Sequence, residues 1–194
     1  NLFEFQIFIS GVEVNGNNYI REELLRKFLV EMRPMKNLKN LKLGFEGINF
    51  EGVPLGELFE FLLKENKSIK SLYLELFDNK ICLKNFFDLV QKFPTLQKLQ
   101  LECDNFEYRG LEKILNEKYA QTIDCLSLVE RKHFAEISHS NAVLLMYMIE
   151  QLEIKELSLI LNSREIDMQV IKYISDGVKS LKSLSSFNLI ADVN

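Results

Sequence analysis

Histidine exchanges protons near neutral pH more readily than any other side chain, and this chain has two, His133 and His139, in the stretch HFAEISH. A helical metal site places its ligands at i and i+4 so that both rings reach one ion. A spacing of six turns them to different sides of a helix, so the pair reads as polar surface of a loop and not as ligands. Nucleophilic catalysis would need a Ser or Cys beside a base. Cys82, Cys103 and Cys125 are widely spaced, with no C-x-x-C pair, so neither a zinc site nor a disulfide framework is signalled. Cys103 falls at a position expected to be buried, and Cys125 sits beside Leu126. No G-x-x-x-x-G-K-[ST] or G-x-G-x-x-G loop is present to cradle a phosphate. The expectation is a protein without catalytic residues, metal or cofactor.

The elements that would carry any site emerge from self-similarity. In SIKSLYLELFDNKI, Ser68 to Ile81, apolar residues at Ile69, Leu72, Leu74 and Leu76 give the spacing 0, +3, +5, +7, and Phe77, Asp78 and Asn79 read as a stop. The spacing recurs at Leu2, Phe5, Ile7, Ile9; at Leu38, Leu41, Leu43, Phe45; and at Leu96, Leu99, Leu101, Cys103. It returns at Ile123, Leu126, Leu128, where Glu130 breaks the fourth place, then at Ile154, Leu157, Leu159, Leu161 and at Leu184, Phe187, Leu189, Ala191. Alternation of this kind predicts seven strands with one buried face. Five residues beyond the fourth place a further apolar residue turns the chain inward, at Val14, Phe50, Ile81, Tyr108, Ala135 and Ile166.

Between the strands a spacing of 0, +3, +4, +7 puts four side chains on one helical face. It begins at Leu25, Leu55, Leu83, Leu111, Asn141 and Ile171, with steps of 30, 28, 28, 30 and 30 residues. A helix between successive strands makes those strands parallel. One strand–helix unit cannot bury both its apolar faces, whereas stacked units can, which predicts a solenoid. Because helices are wider than the roughly 4.8 Å between strands, the sheet lies on the concave side. Open strands at both ends lead us to expect further repeats or domains beyond residues 1–194, a single array cut from a longer polypeptide.

The units I69-x-x-L72-x-L74, L96-x-x-L99-x-L101 and I154-x-x-L157-x-L159, each followed by an amphipathic helix, resemble the leucine-rich repeat in its ribonuclease-inhibitor-like class. The resemblance implies an α/β fold: a right-handed horseshoe with a parallel concave sheet of about seven strands and about six convex-side helices. That class places Asn or Cys three residues after the third apolar position, where it satisfies loop backbone. Here those positions hold Glu46, Phe77, Asp104, Arg131, Asn162 and Asp192, of which Asn162 alone conforms. The resemblance also implies that partners are bound on the concave face.

On that face the residues between the buried places come together. Glu75 and Glu102 are expected as neighbours on adjacent strands, with Tyr73, Phe77, Gln100 and Asp104 around them. An aromatic among charges suits the anchor and rim of a protein interface. We expect Tyr73, Glu75, Phe77, Gln100, Glu102 and Asp104 to contact a partner, receiving Lys or Arg from a basic segment. The competing reading is a solvated face relieved by Lys42 and Lys98. Val129, Ile160 and Ile190 form a second, apolar strip.

Composition bounds the rest. Apolar residues make up 47%, enough for a core, and a net charge of −4 disfavours nucleic acid. The longest apolar run, Ala142 to Ile149, falls far short of the roughly 18 residues of a membrane span, and the cysteine usage suggests a reducing intracellular compartment, cytoplasmic or cytoskeletal. The expected function is a non-catalytic scaffold or adaptor that binds protein. The alternatives are a structural subunit of a large assembly and a regulator or inhibitor of another enzyme.

Overall fold

The computed structural model describes residues 4–10, 27, 30–31, 37–46, 68–91, 93, 95–108, 110–111, 123–132, 137–162 and 166–191. Seven strands form one parallel sheet in strict sequence order: β1 (Glu4–Ser10), β2 (Asn40–Glu46), β3 (Ser71–Cys82), β4 (Lys98–Glu107), β5 (Cys125–Glu130), β6 (Glu156–Leu161) and β7 (Ser186–Ala191). The register follows the repeat spacing, so that Leu41, Leu72, Leu99, Leu126, Leu157 and Phe187 pair in a row, as do Leu43, Leu74, Leu101, Leu128, Leu159 and Leu189. Because side chains alternate along a strand, these rows share one face. From β2 to β6 they are buried in one continuous core, whereas Phe187 on β7 stands exposed.

Three helices have both ends among the described residues: α1 (Leu83–Gln91), α2 (His139–Glu150) and α3 (Met168–Ser180). Of the helix predicted from Leu25, residues 27 and 30–31 are described and are helical, while the helix predicted from Leu55 and nearly all of that from Leu111 lie outside the described residues, although Leu111 itself is buried. In α1 all four predicted places, Leu83, Phe86, Phe87 and Val90, enter the core. In α2 the buried stripe is rotated from the predicted one: Ala142, Leu145, Met146, Met148 and Ile149 are buried, while Asn141 and Leu144 are only half-buried. The helix also starts earlier than predicted, because Ser138 caps it by accepting from the Asn141 amide at 3.2 Å. Asp167 caps α3 in the same way, accepting from the Gln169 and Val170 amides at 2.8 Å each.

Successive units are locked by a recurring hydroxyl bond at the strand entrance. Ser68, Thr95 and Ser185 each donate to a carbonyl of the preceding unit, those of Leu38, Ile69 and Lys155, at 3.1, 2.9 and 3.0 Å. The turn-inward residues Ile81, Tyr108 and Ile166 are buried as expected, and Val14, Phe50 and Ala135 lie outside the described residues.

One expectation is overturned. Phe77, Asp78 and Asn79 do not stop the strand: β3 continues to Cys82, and its second half pairs Lys80, Ile81 and Cys82 with Asn105, Phe106 and Glu107 after a register shift between Leu76 and Lys80. The bulge spends extra residues on β3 against one on β4, which hides the continuation from a two-residue period. Strand β4 therefore runs past the end of its other neighbour, since β5 pairs with it only as far as Cys103 opposite Glu130.

Candidate protein-binding face

The sheet face away from the helices is built from the intervening residues, and its register sets what can meet. One row reads Phe8, Gly44, Glu75, Glu102, Val129, Ile160, Ile190, and the row before it Gln6, Lys42, Tyr73, Gln100, Ser127, Ser158, Asn188. The structure thus places Tyr73, Glu75, Gln100 and Glu102 together on adjoining strands, with Phe77 and Asp104 one place further along.

Each carboxylate of this group already holds a cation of the same chain. Lys42 Nζ lies 3.0 Å from Glu75 and 4.1 Å from the centre of the Tyr73 ring, a cation–π contact. Arg131 Nε donates to Glu102 Oε1, and its guanidinium rests 4.1 Å above the Phe77 ring. Lys132 pairs with Asp104. Tyr73 donates its hydroxyl to Glu102 Oε2 at 2.6 Å, closing a lattice that crosses β2 to β5. Lys98, expected to relieve the carboxylates, stands four residues before Glu102 on the same strand, about 13 Å away along its axis. Lys42 does relieve them. Arg131 and Lys132 complete the neutralisation, because the chain leaving β5 stays on β4, the amides of Arg131 and Lys132 donating to the carbonyls of Cys103 and Asp104 at 2.9 and 3.0 Å.

Burial, followed by the bond to Glu102, pushes the Tyr73 phenol far up. Burial works against ionisation of Glu75 too, yet hydrogen bonds from Tyr73 and Lys42 outweigh it and hold the carboxyl below its ordinary value. Both groups therefore stay in one protonation state near neutral pH.

Gly44 makes the lattice's aromatic side possible. A Cβ there would lie 2.2 Å from Phe8 Cδ2, so the absence of a side chain lets the Phe8 ring lie across β2 and reach Phe77, centroid to centroid 5.8 Å. Gly44→Ala is expected to lift Phe8 off Phe77, read as loss of ring-current shifts between the two rings in aromatic NMR spectra, with the rest of the sheet unaltered. Unchanged shifts would mean that the ring contact does not depend on Gly44. Phe8 is 49% exposed and Ile190 51%, so large apolar groups stand at both ends of one row, with half-buried Val129 and Ile160 between Ile190 and the ion pairs.

Beneath this face, Glu130 occupies the core place that the sequence leaves broken. It is 1% exposed, and its Oε1 accepts from the Phe106 amide at 3.1 Å. Since β5 ends at Glu130, the amide of Phe106 has no strand to donate to, and the side chain stands in for one. Burial raises the Glu130 carboxyl to about 7, against the opposing pull of the Phe106 amide. Burial likewise pushes up the Cys103 thiol and the Tyr108 phenol, with Glu130 adding to both. The Tyr108 hydroxyl and Asn105 Oδ1 are buried without a hydrogen-bond partner. The broken place was visible in the sequence, but its cause, a strand that outruns its neighbour, was not.

His139 begins α2 instead of lying in a loop, and its Nε2 meets Asp167 Oδ2 at 2.7 Å, tying the start of α2 to the cap of α3. His133 lies outside the described residues. Cys103 is buried as expected and its thiol contacts the Asn105 carbonyl at 3.3 Å, whereas Cys125 is half-buried on the open face. Asn162, at the loop-satisfying position, donates to the Arg131 carbonyl at 3.1 Å. No helix among the described residues is long and apolar enough to cross a membrane.

Comparison with known proteins yields no match to a protein-family model and none to a curated protein. Among solved structures, leiomodin-1 actin-binding site 2 is similar over 90% of this chain and 80% of that one, at 16% identity and a TM-score of 0.37.

Proposed function

We propose that the chain is a leucine-rich-repeat-like solenoid acting as a non-catalytic interaction module, a scaffold or adaptor that receives a protein partner on the concave, open face of its sheet. The observation that carries this reading is the row from Phe8 to Ile190. It sets large, solvent-exposed apolar side chains at both ends of a face whose central carboxylates, Glu75, Glu102 and Asp104, are already paired, the composition of an apolar contact beside a satisfied polar lattice. The hydrogen-bonded Tyr73 and the sandwiched Phe77 are rigid, so contact with them costs little side-chain entropy. A basic partner segment would have to displace Lys42, Arg131 or Lys132 before reaching a carboxylate.

The test is quantitative crosslinking and affinity capture with the wild type and with a Phe8→Ser, Ile160→Asp, Ile190→Asp variant of matched circular dichroism. A specific partner retained by the wild type and lost by the variant is the expected result. An identical set of partners for both proteins would refute the reading.

A second reading, a structural subunit of an assembly, draws on β7 and its surroundings. Phe187 and Ile190 are exposed there on opposite faces of one strand, and Leu184, Leu189 and Ala191 are only half-buried. A subunit whose neighbour covers that flank would lose assembly, and not partner capture, on Phe187→Asp.

A further inference from the structure

The open face is electrically uneven along the strand direction. Towards the strand ends, Glu75, Glu102 and Asp104 are each matched by Lys42, Arg131 and Lys132. Towards the strand starts, β2 to β5 enclose a groove of about 440 Å³, within the size range of ligand-binding clefts. Its lining includes Asn40, Ser71, Lys98, Gln100 and Ser127, with the braced Tyr73 ring as a wall. Among the described residues these five polar side chains make no hydrogen bond or ion pair with one another or with the rest of the chain. Lys98 is exposed, as is Lys70 at the rim, and the one carboxylate in the lining, Glu4, belongs to β1, three strands from Lys98. Glu156, in the register row of Lys98 and Cys125, stands on the same face two strands beyond Lys98, so the positive charge left for a partner is confined to the middle of the groove, at Lys98 and Lys70.

We propose that this groove takes an acidic, extended segment of a protein partner. A carboxylate of the segment meets Lys98, and its backbone hydrogen-bonds to the amides and hydroxyls of Asn40, Ser71, Gln100 and Ser127. The proposal deepens the reading of the open face as a binding surface and rests on it. Strand starts spaced by roughly 4.8 Å present a ladder of short polar side chains that a chain crossing the sheet can follow. Tyr73 supplies a flat wall whose position is set by Glu102 and Lys42. Of the lattice's three cations Lys42 alone lines the groove, and it is held on Glu75.

The experiment is an NMR titration of the protein with two octapeptides, alternating Ser-Glu and alternating Ser-Lys, at low and at moderate salt. The Ser-Glu peptide is expected to shift the amide resonances of Lys98, Gln100 and Ser127, with an affinity that falls as salt rises. Lys98→Glu should weaken it at least fivefold, and Val143→Ser, on the exposed side of α2, should leave it unchanged. Absence of shifts at these residues, equal shifts from the Ser-Lys peptide, or an unaltered affinity in Lys98→Glu would each overturn the proposal. If capture of a protein partner depends on Phe8 and Ile190 while the groove stays silent, this inference fails and the reading of the face stands. A responding groove combined with partner capture indifferent to Phe8 and Ile190 supports the groove and rejects the apolar row.

Discussion

Glu130→Gln is expected to stabilise the protein at pH 8 by about 3 kcal/mol and to change little at pH 4. The Glu130 carboxyl titrates near 7 in the folded chain against an ordinary 4.5, and each unit of such a difference is worth about 1.4 kcal/mol. Its folded value is the higher one, so between 4.5 and 7 the unfolded chain has already released a proton that the folded chain still holds. Stability therefore falls as pH rises through that window and levels off above it. Gln removes the charge and keeps an acceptor for the Phe106 amide, and its added N–H groups suit a site with two unpartnered polar atoms. Glu130→Leu would restore the apolar repeat but strand that amide, at a cost of about 1–3 kcal/mol, and should be less stable than Gln. Urea midpoints at pH 4, 6, 7 and 8 for the three proteins decide the matter. A constant gap between Glu and Gln across that range would show that the carboxylate ionises as freely in the folded chain as in the unfolded one.

Leu101→Ala should cost about 3 kcal/mol, within the 2–5 kcal/mol usual for removing a buried leucine side chain. Leu101 has no exposed surface, and its register neighbours Leu74 and Leu128 have none either, so there is no solvent-side freedom with which to collapse the cavity. Its sequence neighbour Gln100 points to the open face, and Gln100→Ala should fall within about 0.5 kcal/mol of the wild type. Chemical denaturation of the pair tests the assignment of faces directly. Similar losses at both positions would mean that the alternation does not divide core from surface as described.

The strands and their register were legible because each rests on the same four-place spacing, and parallel pairing of equivalent positions follows once the units stack. What the spacing hid was the behaviour at strand ends. Phe77 to Asn79 look like a stop because a bulge breaks the two-residue period, and only the pairing of Ile81 with Phe106 shows that the strand goes on. From that one irregularity follow the overhang of β4, the orphaned Phe106 amide and the carboxylate at the broken place.

The candidate face was legible in its membership and not in its pairings. Glu75 and Glu102 were expected side by side, and they are. Lys98 was expected to relieve them, whereas Arg131 reaches Glu102 from the residue just after β5. Side-chain reach across strands depends on where each chain leaves the sheet, and a spacing pattern carries no information about that. The rotated stripe of α2 has a similar origin: the Ser138 cap fixes where the helix starts, and packing against Met146 at Gly177, where an added Cβ would come within 2.7 Å, fixes how it turns.

Each strand bonds only to its neighbours in sequence, from β1 across to β7. A pull applied between β1 and β7 therefore acts along the hydrogen bonds rather than across them, and the strand pairs carry it in series. The strand pair with the fewest register partners, β5 with β6 at five, is expected to give way first. The stacking that builds the open face thus also sets where the sheet parts when it is stretched.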